Sequence, residues 1–193
     1  MLNEKKLKEA ESRVKNYLNE SIIKTKQGRE FVDFFLSNAE KSLNSANALY
    51  DLSTDTNLQQ KTGYVGFDGF LWVVNACYYS MFYMARALLE HEGIKIKSDL
   101  SIHLVTFDAI INFFYLNGML QKKLIEDFAE AKEEASEILG KQKADSLIED
   151  YFWERGKRAT FTYETKEIVI KAKAKTSIER AKRFNQEIKK IIK

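Results

Sequence analysis

The chain has 193 residues, 45% of them apolar and 31% charged, with a net charge of +3. That length carries one domain with its own core, and that balance belongs to an ordinary globular protein rather than a disordered or strongly basic one. The single cysteine, Cys77, excludes an intrachain disulfide and a multi-cysteine zinc site, and the absence of proline favours helices joined by short polar loops.

The first fifteen residues are charged and lack the apolar core of a secretory signal. Leu2, Leu7, Ala10, Val14, Leu18 and Ile22 recur at helical spacing, which predicts an amphipathic helix ending near Thr25, with Gly28 as its stop. A second helix is expected over residues 29–52, with Phe31, Phe35, Ala39, Leu43, Ala46 and Leu49 inward. Residues 53–66 are polar and read as a loop. Residues 67–91 are apolar on nearly every side, the mark of a central helix covered by neighbours. Asp68, Asn75 and Arg86 interrupt that run, so it is no membrane span, and a cytoplasmic protein is expected.

Gly93 stands where a left-handed helix cap is common, and residues 94–99 read as a connector. Ser101 is placed to cap a fourth helix ending at Leu116, before the Asn117-Gly118 break. Residues 119–139 make a fifth helix, with Leu124, Phe128, Ala131, Ala135 and Ile138 inward. Its carboxylates between Glu126 and Glu137 are interspersed with lysines and read as a solvated face rather than a cation site. Gly140 punctuates, and residues 141–157 form a sixth helix. The β-branched and aromatic stretch 160–165 reads as an extended crossing. Thr176 and Glu179 match a capping box that would open a last helix, with Ile178, Ala181, Phe184, Ile188 and Ile191 inward. Residues 171–193 hold nine Lys/Arg against two acids, a net +7 that leaves −4 for the remainder. Most of those lysines are expected on a solvated face.

Familiar catalytic patterns are missing. Two histidines, His91 and His103, supply no His-rich metal site, and neither lies in Glu-x-x-His. There is no P-loop lysine motif and no Gly-x-Ser-x-Gly elbow. No metal and no cofactor are expected.

Two segments carry a family pattern. One runs from Asn75 through Tyr78-Tyr79-Ser80-Met81-Phe82 to Ala85-Arg86-Ala87-Leu88-Leu89, then Gly93 and Lys97-Ser98. The other is Trp153-Glu154-Arg155-Gly156-Lys157-Arg158-Ala159, followed by an aromatic residue and a final helix. Together, in this order, they resemble the HEPN family, with the likeness spanning residues 29–193 and residues 1–28 as an N-terminal helical extension. The resemblance implies an all-α, up-and-down helical bundle that forms a homodimer. It further implies a place in a toxin–antitoxin or defence pair, with a nucleotidyltransferase-type antitoxin as partner and RNA or nucleotide as ligand.

Active members of that family pair an arginine with a nearby histidine and cleave RNA without a metal. A guanidinium steadies phosphate charge while an imidazole moves the proton. Here no histidine follows Arg155 or Arg158, and the fifth residue after Arg158 is Tyr163, whose phenol is a poor base at neutral pH. The expectation is therefore a phosphate- or nucleotide-binding module built on Arg155, Arg158 and Arg86. One alternative is an RNase using Arg158 with Tyr163 or a relocated His103. The other is a non-catalytic adaptor. Separately, in some members of the family a tyrosine near this motif accepts nucleotidyl groups from the partner, and the resemblance makes Tyr163 that position here. Tyr78, Tyr79, Phe82 and Tyr83 read as core or dimer interface.

Overall fold

The computed structural model describes residues 3–97, 101–152 and 160–192, with stretches 138–152 and 160–169 as backbone only. It is an all-α helical bundle with one two-stranded ribbon. No described helix is long and apolar enough to cross a membrane.

Helix α1 spans Glu4–Asn19, opened by Asn3, whose side chain accepts from the Lys6 N–H at 2.9 Å. It ends sooner than its apolar pattern suggests, because Ser21 turns to a positive φ of 56°. The chain beyond extends into β1 (Ile23–Lys24), which pairs antiparallel with β2 (Lys95–Ile96), Ile23 opposite Ile96. The expected helix end and the expected connector thus hold a strand each. Gly93 enters β2 at φ +67°, and a Cβ there would lie 2.7 Å from the Gln27 carbonyl oxygen. Only glycine suits both the conformation and the approach. In return the Gln27 N–H donates to the Gly93 oxygen at 2.9 Å.

Helix α2 (Val32–Thr54) buries Ala39 and Ala46, while Phe31 at its start is exposed rather than inward. The buried carboxylate of Glu90 accepts the Phe31 N–H at 3.3 Å, so a side chain from another helix caps this one. The expected polar loop contains a short helix, α3 (Thr56–Thr62), capped by Asp55. Gln59 of α3 stitches the turn together: its Nε2 donates to the Leu52 and Phe67 carbonyls and its Oε1 accepts the Gly66 N–H.

Helix α4 (Phe70–His91) is the central element, buried on most sides by α2 and by three later helices. These are α5 (Ile102–Ile110), α6 (Lys122–Phe152) and α7 (Thr160–Ile192). A π-helical stretch, Ile111–Tyr115, prolongs α5. Ser101 precedes α5 at φ +47° and its side chain makes no capping bond, contrary to the expectation. Gly140 breaks nothing: α6 runs through it as one helix where two were expected. One interior glycine costs only about 1 kcal/mol against alanine, which a long packed helix absorbs.

Residues 160–165 are helical, not extended, and Thr176 and Glu179 lie inside α7 rather than at its start. The Thr176 hydroxyl donates to the Ala172 carbonyl at 3.1 Å, a bond within the helix in place of a cap. The inward register of α7 is as expected, with Ile178, Ala181, Phe184 and Ile188 buried. Ser80 marks the meeting of three helices: its hydroxyl donates to the Ala39 carbonyl at 2.7 Å and accepts from Asn185 Nδ2 at 2.8 Å.

Candidate functional site

Arg155 and Arg158 lie outside the described residues, and of Tyr163 only the backbone is described, within α7. Arg86 is half-buried on α4, with its guanidinium 4.9 Å over the Phe35 ring and, among the described residues, no carboxylate within ion-pair distance. Burial holds its pKa below the usual arginine value, against the opposing pull of Glu90.

His103 of α5 is brought to α4. Its Nδ1 is 2.8 Å from the Tyr78 hydroxyl, and its ring lies against Phe82, Tyr79 and Tyr78 at centroid distances of 4.4, 5.8 and 5.6 Å. Burial, helped by the positive charge of Lys132, lowers the His103 pKa, so the ring is neutral at physiological pH. Burial raises the Tyr78 phenol, which keeps its proton. With Nδ1 engaged by Tyr78, Nε2 is the nitrogen left to meet a ligand. Lys132 of α6 stands 5.5 Å from the Phe107 ring centre, its pKa lowered by burial. It lines a cleft of about 650 Å³ between α1, α5 and α6, beside Lys6, Arg13 and Glu133.

The acidic face of α6 is solvated as expected at Glu130, Glu133 and Glu137, but not throughout. Asp127 is buried and binds Arg183 at 2.5 Å and Lys123 at 3.0 Å. Arg180, also buried, bridges Glu134 at 2.8 Å and Glu130 at 3.1 Å. The carboxylates of α6 thus neutralise the arginines of α7, because two charged helix faces pack together and each buried charge needs a counter-charge. Lys189 and Lys190 pair with Glu40 and Glu187. Lys171, Lys173, Lys175 and Lys182 are exposed and have no carboxylate partner among the described residues. Lys171, Lys175 and Lys182 fall on one stripe of the helix, at i, i+4 and i+11.

The remaining feature is the outer face of α4. Trp72 and Tyr79 are 54% and 38% exposed, about two helical turns apart, with Ala76 and Asn75 between them. With Leu49 of α2 they line a recess of about 400 Å³. Asn75 is buried, and among the described residues neither its Nδ2 nor its Oδ1 has a hydrogen-bond partner. Trp72 was not singled out from the sequence, although a Trp at i−3 and a Tyr at i+4 from a lone asparagine is a readable helical constellation.

Cys77 is fully buried and burial pushes its thiol up to about 12, so it is no nucleophile. Among the described residues, no three of His, Cys, Asp and Glu gather as a metal site. Comparison with protein families, with curated proteins and with solved structures finds no match to the chain.

Proposed function

We propose that this chain is a HEPN-type bundle that binds RNA or nucleotide through phosphate, in the cytoplasm, as one half of a toxin–antitoxin or defence pair. The observation that carries the reading is the lysine stripe of α7. Ion pairing consumes Arg180, Arg183, Lys189 and Lys190 and leaves Lys171, Lys175 and Lys182, on one exposed line, without a carboxylate partner among the described residues. Unpaired cations in a row meet a phosphate backbone at low desolvation cost and release its counterions. The stripe belongs to the helix that follows the segment with Arg155 and Arg158 in sequence. Exposed Phe31 and Phe34 at the start of α2 offer an apolar surface for a second copy of the chain, and a nucleotidyltransferase-type antitoxin is the further partner.

The test is binding of a mixed RNA pool, in EDTA, by wild type and by a Lys171→Glu/Lys175→Glu/Lys182→Glu variant. The reading expects a complex that the variant loses. No complex with wild type removes it.

A second reading rests on the His103–Tyr78 pair. A neutral imidazole with a free Nε2, near the amine of Lys132, has the parts for proton transfer at a phosphodiester. It expects metal-independent RNA cleavage that His103→Ala abolishes. Cleavage surviving in that variant removes this assignment.

A further inference from the structure

We infer that the recess between Trp72 and Tyr79 is a nucleobase pocket, in which the Asn75 carboxamide reads a donor and an acceptor set side by side, as on the N6/N7 edge of adenine. The inference deepens the proposed phosphate-binding reading by adding recognition of the base.

Three observations carry it. First, among the described residues Asn75 has no partner at either end, although it sits on the central helix of the bundle. Buried polar groups are nearly always hydrogen-bonded, and an unpaired one calls for a partner that completes it. The fold can satisfy a buried amide elsewhere: Gln59 makes three hydrogen bonds in the adjoining turn. Second, the orphan lines a recess of about 400 Å³, within the size range of small-ligand sites. Third, the recess is walled by Trp72 and Tyr79, large rings left in water where α4 otherwise hides its apolar surface. Aromatic faces flanking one planar amide are the materials from which proteins build base-binding sites: rings stack on the heterocycle and the amide pairs with its edge.

A carboxamide presents one donor and one acceptor in a plane. Adenine answers with its N6 amine and its N7. The Asn75 amide is closed to water as the recess stands, so a base reaches it by wedging between the rings. Trp72 is the wall with the most freedom to yield, being more than half exposed.

The experiment uses the full chain carrying Trp153→Phe, which leaves Trp72 as the sole tryptophan reporter. Adenosine 5′-monophosphate and ribose 5-phosphate are titrated against it, and Trp72 emission is followed. The inference expects saturable quenching by the nucleotide and none by the sugar phosphate. Asn75→Leu should weaken nucleotide binding tenfold or more while leaving the thermal midpoint equal or higher, since it removes an unpaired amide from an apolar setting. Trp72→Ala, an exposed position that folding tolerates, should lose binding by calorimetry. The Lys171/Lys175/Lys182 glutamate variant should keep the quenching, so failure at the lysines and failure in the recess read out separately. Three results overturn the inference: no saturable change with the nucleotide, equal affinity in Asn75→Leu, or a changed molecular mass in Asn75→Leu at unchanged nucleotide affinity. The last would assign the recess to contact between copies of the chain.

Discussion

Arg13 grips Asp108 with two parallel hydrogen bonds, Nε to Oδ2 at 2.7 Å and Nη2 to Oδ1 at 2.8 Å. Asp108 is fully buried, so the N-terminal helix supplies the counter-charge for an acid in α5. The fork geometry is the strong form of an ion pair, and breaking it strands a buried carboxylate. Arg13→Ala should therefore destabilise the fold by about 3 kcal/mol, measured by urea unfolding. Arg13→Lys should recover only part, because an ammonium cannot present the same fork.

The junction at Ser80 gives a second stability prediction. Ser80→Ala removes the bond to the Ala39 carbonyl and leaves Asn185 Nδ2 without its acceptor, where Asn185 Oδ1 already has no partner among the described residues. The cost should be about 2 kcal/mol. Asn185→Leu in the Ser80→Ala background should return part of it, since both polar partners are then gone. A double-mutant cycle on thermal or denaturant unfolding measures this coupling.

Gly93→Ala tests the contact between the α4–β2 turn and the segment at Gln27. The positive φ and the 2.7 Å approach to the Gln27 oxygen both oppose a methyl group. The variant should lose about 1–3 kcal/mol and should expose the Gln27 amide to faster hydrogen exchange.

How far the sequence revealed this fold depends on the range of the forces involved. Helix α4 was legible because residues buried on every side leave an unbroken apolar run. The register of α7 was legible from Ile178, Ala181, Phe184 and Ile188, which repeat on one face. Its start was not. Thr176 and Glu179 carry a capping pattern, but the same threonine serves equally in a helix interior by bonding back to Ala172. Gly140 misled in the same way, since a weak local preference yields to packing along α6. The ribbon of Ile23–Lys24 with Lys95–Ile96 is too short to show a period. Burial of Asp127 was hidden because its partners, Arg183 and Arg180, are more than fifty residues away along the chain. In the candidate site, Asn75 and His103 were legible as polar residues in apolar company. Their partners were not: the Tyr78 hydroxyl for one and, among the described residues, none for the other.

His103 gives the pH prediction. Its neighbours are Tyr78, Tyr79, Phe82 and the charge of Lys132, and its folded pKa lies below the ordinary 6.5. In the unfolded chain the imidazole takes a proton more readily than in the fold. Its contribution to stability is therefore whole above about pH 6.5 and is lost as the pH falls from there through the folded value. His103→Phe should flatten the stability profile in that acidic window and leave the neutral range nearly unchanged. Denaturant midpoints taken across the window for both proteins measure it.

The most direct test of the phosphate-binding account is the salt dependence of RNA affinity. Each phosphate contact to single-stranded RNA contributes roughly −0.7 to the slope of log K against log salt. Replacing Lys171, Lys175 and Lys182 by glutamine should weaken binding uniformly across RNA sequences and flatten that slope by about 2. An unchanged slope and affinity in the triple variant would contradict the account, and the lysine stripe would then be no more than a solvated face.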